Sequence, residues 1–139
     1  MAGNMSRNKG QRAEREVCKL LQPVVNQVYT AKGLEPPALE RNLMQTRNGG
    51  YDIAGLEWLA LEVKHHETLQ ITQWWCQTKQ QSKVHQTPVL IYRQNRVKWR
   101  VMMFGALPAG DKQVRAPVDI ALDAFLVWFK IKLEFQVQA

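Results

Sequence analysis

No feature constrains this chain more than residues 49–67, GGYDIAGLEWLALEVKHHE. Two β-type runs, residues 51–54 and 58–64, flank Gly55, Leu56 and Glu57, a connection short enough for a tight hairpin. In the second run Leu59, Leu61 and Val63 alternate with Ala60, Glu62 and Lys64. That period of two is the pattern of a strand with unlike faces, so Glu62 and Lys64 project from the same one. Asp52, at the start of the first run, comes to lie beside them if the register is that of a short hairpin. Two carboxylates and an ammonium then share one small volume.

Such a cluster has two readings. One is a solvated strand face carrying an ion pair. The other is a divalent-metal site, because Mg²⁺ takes hard oxygen ligands, typically one or two carboxylates with waters and phosphate oxygens. A lysine alongside would orient a water and offset charge building on a phosphate. Spacing alone does not choose between them.

The rest of the composition narrows the field. A chain of 139 residues is one domain with a sizeable core, and its apolar and charged fractions are those of a globular protein. Nineteen Lys and Arg against twelve Asp and Glu leave a net charge of +7, which favours a polyanionic partner. No basic amphipathic helix argues for a membrane surface, no apolar run is long enough to span one, and the N-terminus lacks a secretory core. Cys18 and Cys76 are isolated, as in a reduced cytoplasmic protein, and their spacing does not suit zinc.

Taken in order, residues 1–6 read as a loose tail. Ser6 is a plausible cap for a helix whose stripe is Ala13, Val17, Leu20, Leu21 and Val24. Pro23 predicts a kink or break in it. Glu14 and Glu16 flank the stripe symmetrically, and periodicity cannot choose between them. Residues 39–45 suggest a short strand leading into the hairpin, and Arg41, Gln45 and Arg47 stand before the Gly49–Gly50 pair. Those three either draw a phosphodiester toward the acidic cluster or form an ordinary polar edge.

A second helix is expected over residues 72–83. Its adjacent Trp74 and Trp75 cannot share one neighbour, so both are core or one reaches a partner. Residues 88–93 read as a central strand and 97–104 as its hairpin partner across Gln94, Asn95 and Arg96. Residues 105–113 read as a loop, 114–120 as an edge segment, and Asp119 or Asp123 as the cap of a last helix. The resulting class is α/β, a sheet flanked by helices.

Four motifs in this order resemble those of a known family. Asp52 and the Glu62-Val63-Lys64 triplet resemble the signature of the PD-(D/E)xK nucleases. Lys9-Gly10-Gln11-Arg12-Ala13-Glu14-Arg15 resembles the opening of their Holliday-junction-resolvase branch, and Gly49-Gly50-Tyr51-Asp52-Ile53 is similar to the Gly-rich entry to the catalytic aspartate. The helix from Thr72, the strand after it and the Trp99 strand complete the likeness over residues 9–104, closest to small phage-type members. Tyr51 stands where the signature has proline, and nothing after residue 104 carries over.

The resemblance implies a restriction-endonuclease-like mixed sheet flanked by helices, in a single domain over residues 1–139. It implies Mg²⁺, with Mn²⁺ as a substitute, held by Asp52, Glu62 and the Val63 carbonyl. Lys64 would position the attacking water, and Glu14, chosen over Glu16 by the family motif, would complete the catalytic and metal-binding set through a second metal or a bound water. Lys9, Arg12, Arg41 and Arg47 are then the candidates for DNA phosphates. The implied activity is hydrolysis of phosphodiesters in branched DNA, resolving four-way junctions in recombination, by a homodimer in the host cytoplasm. The alternatives are a related restriction- or repair-type endonuclease on branched or duplex DNA, and a non-catalytic DNA-binding module on the same fold.

Overall fold

The computed structural model describes residues 2–43 and 50–137, with side chains from residue 7 onward. Arg47, one of the expected phosphate contacts, and Gln45 lie outside the described residues. The elements are α1 (Ala2–Ala31), β1 (Glu40–Arg41), β2 (Ile53–Ala54), β3 (Leu59–His66), α2 (Ile71–Gln81), β4 (Thr87–Gln94), β5 (Arg100–Ala109), β6 (Lys112–Ala121) and α3 (Leu122–Gln136). Four strands form a mixed sheet in the order β3-β4-β5-β6, with β3 and β4 parallel and the other pairs antiparallel. Helix α2 is the crossover that a parallel pair requires. The architecture is α/β with helices on both faces, as expected.

One face of the sheet carries most of the apolar mass. From α1 come Ala13, Val17, Leu21, Val25 and Val28, and from α3 come Phe125, Phe129 and Leu133. They close over Leu59, Leu61 and Val63 of β3, Val89 and Ile91 of β4, and Val101 and Met103 of β5. Fully burying an aliphatic side chain of this kind is worth about 1.5–3 kcal/mol. That stripe holds α1 as one continuous helix through Pro23, so of the expected kink or break the break does not occur; proline forfeits a single helical hydrogen bond. The helix also begins at Ala2, ahead of the expected cap at Ser6.

The other face is thinner. Trp74 and Trp75 of α2 are both buried, against Leu90 and Tyr92. Trp74 lies 5.0 Å from the His66 ring and Trp75 lies 5.2 Å from Phe104, so neither tryptophan is left for a partner. Among the described side chains, the indole nitrogen of Trp75 is a buried donor with no acceptor.

Three local expectations fail. Residues 51–54 do not form a ladder with β3; β2 pairs instead with β1, Arg41 opposite Ile53, and meets β3 through hydrogen bonds from Asp52. Residues 105–113 are not a loop, because β5 continues to Ala109 and turns straight into β6. The turn is Gly110-Asp111, with Gly110 at φ +66, a positive angle at the first of two loop positions that suits a two-residue hairpin. Pro117 fits because β6 is an outer strand. Finally, Ala121 caps α3 without a side-chain hydrogen bond. Asp123 lies in its first turn, while Asp119 stays in β6 and accepts hydrogen bonds from Tyr92 and Arg100.

Candidate active site

β3 is the outer strand at one end of the sheet, and the segment entering β2 covers its edge. The Asp52 N–H donates to the Leu61 carbonyl at 2.9 Å, and Asp52 Oδ2 accepts the Val63 N–H at 2.8 Å. Both backbone groups of one strand residue point the same way, so the Val63 carbonyl shares that edge. Asp52 is thus fixed by two bonds to β3 two residues apart, without the expected hairpin ladder.

Glu62 stands opposite Leu90 in the parallel register and is only 2 % exposed. Its carboxyl is hydrogen-bonded to that of Asp52. Burial, then the charge of Asp52 and the hydrogen bond to it, push Glu62 up to about 9, against the pull of Lys64. With its amide oriented so that the nitrogen faces them, the side chain of Gln81, at the last turn of α2, donates to Glu62 Oε1 and to the Gly50 carbonyl at 2.9 Å. Gly50 sits at φ +97, a conformation that a side chain would strain and that brings its carbonyl within reach.

Glu14 approaches from α1. Its Oε1 accepts the Arg41 Nε–H at 2.8 Å. Burial raises its pKa, the Arg41 bond opposes this, and the Asp52 charge raises it further. Glu14, Asp52, Val63, Lys64 and Lys9 line one cleft of about 470 Å³, together with His65, His66 and Glu67. Glu16, its rival in the sequence, points elsewhere. Its carboxylate accepts the Trp99 indole N–H at 3.1 Å and pairs with Arg93 at 3.6 Å.

The structure therefore brings together Glu14, Asp52, Glu62, Val63 and Lys64. Of the expected phosphate contacts, Lys9 lines this cleft, Arg12 lines the neighbouring cavity, and Arg41 is engaged by Glu14. Gln81 had no signal in the sequence, since a glutamine among four on one helix has none. Only the crossover topology delivers it to β3.

Among the described residues, no three His, Cys, Asp or Glu side chains gather closely enough to hold a metal by themselves. The donor set nonetheless fits Mg²⁺, which needs only one or two carboxylates and completes its shell with waters and phosphate oxygens.

Over residues 5–120 the chain matches the family described as Phage putative PDDEXK endonuclease. It belongs to that family. No curated protein and no solved structure matches it. For a PDDEXK family member the activity suggested is that of a nuclease, with DNA as its partner, and PD-(D/E)xK nucleases generally use divalent metals. Among the described residues, no helix is long and apolar enough to cross a membrane.

Proposed function

We propose that this PDDEXK family member is a Mg²⁺-dependent, structure-selective DNA endonuclease that resolves four-way junctions as a homodimer. The observation that carries the nuclease part is the pairing of Asp52 with buried Glu62 on the edge of β3, beside Lys64 and Glu14. The junction preference and the dimer are supported by the resemblance of Lys9–Arg15 and Gly49–Ile53 to the resolvase branch.

In this reading Asp52, Glu62 and the Val63 carbonyl would hold the cation, which lowers the pKa of water and polarises the phosphate. Lys64 orients the attacking water and offsets negative charge as it builds on the phosphate oxygens. Arg41 opposes the rise that burial imposes on the pKa of Glu14 at the wall of the cleft, and Lys9 and Arg12 position the backbone without reading sequence. Gln81 would hold the Glu62 carboxyl in place at the site.

The test uses end-labelled four-way junction and matched linear duplex, each with Mg²⁺, with Ca²⁺ and with EDTA. Paired symmetric nicks in the junction alone, only with Mg²⁺, are the expected result. Equal cutting of both substrates would leave a broader endonuclease. Asp52→Asn should lose cleavage by about 10³-fold or more while still binding DNA. A wild-type chain that binds but never cuts would reduce the protein to a binding module.

A further inference from the structure

A second cavity, of about 860 Å³, lies beside the cleft and shares Lys9, His65 and Glu67 with it. Four cationic side chains, Lys9, Arg12, Arg93 and Arg96, face two carboxylates, Glu16 and Glu67, so the cavity has a surplus of positive charge.

Arg93 is set in place rather than left to solvent. Its guanidinium lies 5.0 Å over the buried Trp99 ring, one nitrogen stands 3.6 Å from Glu16, and Nε donates to His65 Nε2 at 3.4 Å. A planar guanidinium fixed in this way is suited to binding phosphate.

Arg96 supplies the independent observation. Among the described residues it alone, apart from glycines, has a positive φ, +65. It is the third residue of a turn closed by the Val97 N–H on the Gln94 carbonyl at 3.1 Å, a position where glycine or asparagine sits with less strain. Backbone strain of this kind persists where function needs the side chain. The fold gains nothing from arginine there, since the side chain is exposed. The cavity gains a cation.

We propose that this cavity is an anion subsite for a second phosphate of the bound strand, next to the one that is cleaved. The proposal rests on the nuclease reading only for the word "cleaved". Binding itself can be measured without cutting.

The test compares the full wild-type chain with Arg96→Gly, Arg96→Gln and Arg93→Gln. Binding to labelled duplex and four-way junction is followed by fluorescence anisotropy in EDTA across a salt series, and thermal melting is recorded for each variant. Arg96→Gly should melt no lower than wild type, yet bind about three- to tenfold more weakly on every sequence, with a salt slope smaller by about one. In cleavage assays it should raise KM and leave kcat unchanged.

Substrates with 5′-phosphate and 5′-hydroxyl ends identify the source. A loss shared by both indicates an internal phosphodiester, and a loss confined to the phosphorylated end indicates a terminal one; either supports the subsite. Wild-type affinity and salt slope in all three variants would overturn it. So would a lower melting temperature of Arg96→Gly with binding unchanged. Failure of the wild-type chain to cut with Mg²⁺ would end the nuclease reading while leaving the binding result to decide the subsite.

Discussion

The two faces of the sheet are built for different tasks. Under α1 and α3 lies an unbroken apolar mass, with Phe125, Phe129 and Leu133 inaccessible to solvent. Under α2 lies a smaller cluster of two tryptophans, a leucine and a tyrosine, and beside it are buried Glu62 and the Trp75 indole nitrogen, unpaired among the described residues. The first face supplies stability, and the second accepts polar groups that lower it. A protein can hold a costly carboxylate at its site only if another part of its core carries the fold.

The largest test of that division is Phe129→Ala. Emptying a site 5.7 Å from Phe125 and 6.3 Å from Trp58 should cost about 3–5 kcal/mol, read as a fall in the urea midpoint. A loss below about 1 kcal/mol would mean that the apolar face is not where stability resides.

Next is Glu62→Gln, which removes the buried ionisable group and keeps the shape. At pH 8 in EDTA it should stabilise the chain by about 1–2 kcal/mol, and with Mg²⁺ it should abolish cleavage. Destabilisation would show that the carboxyl is part of the structural core after all.

A pH series sharpens the same point. Glu62 titrates near 9 in the folded chain and near 4.5 when unfolded, so the folded state holds the extra proton between those values. The stability due to that proton is complete below about pH 4.5 and drains away as pH rises toward 9. Metal-free wild type should therefore lose urea resistance from pH 5 to 9, and the loss should be smaller in Glu62→Gln. An equal loss in both would place the titration elsewhere.

Smallest is Trp75→Phe. Removing an orphan donor offsets the small void left behind, so stability should change by about 1 kcal/mol or less. A large loss would make the α2 face as rigidly packed as its opposite.

Much of this arrangement can be read from the chain because it depends on local period. The alternation from Leu59 to Lys64 puts Leu61 and Val63 in the large core and Glu62 on the other face. The stripe of α1 likewise predicts Val17 and Leu21 inside. What period cannot convey is partnership between distant segments. Nothing local tells Asp52 to bond to Leu61 and Val63 while β2 pairs with β1. Nor does helical phase say that Glu14 faces Arg41 whereas Glu16 faces Trp99, since both lie equally far from the apolar centre. Residues 105–113 misled for a chemical reason: glycine and proline there serve a tight turn and an extended strand pair, and composition does not distinguish these from a loop.

β5 and β6 run on together past the end of β4, which pairs with β5 only as far as Met103. A ribbon so exposed is the kind of edge onto which stray copies of a chain stack into fibres. Pro108 and Pro117 each lack the N–H that such growth would need, and Lys112 and Arg115 add like charge that repels another copy. The projecting hairpin is thereby protected against polymerising with itself, and an extended strand pair can stand in water at high protein concentration.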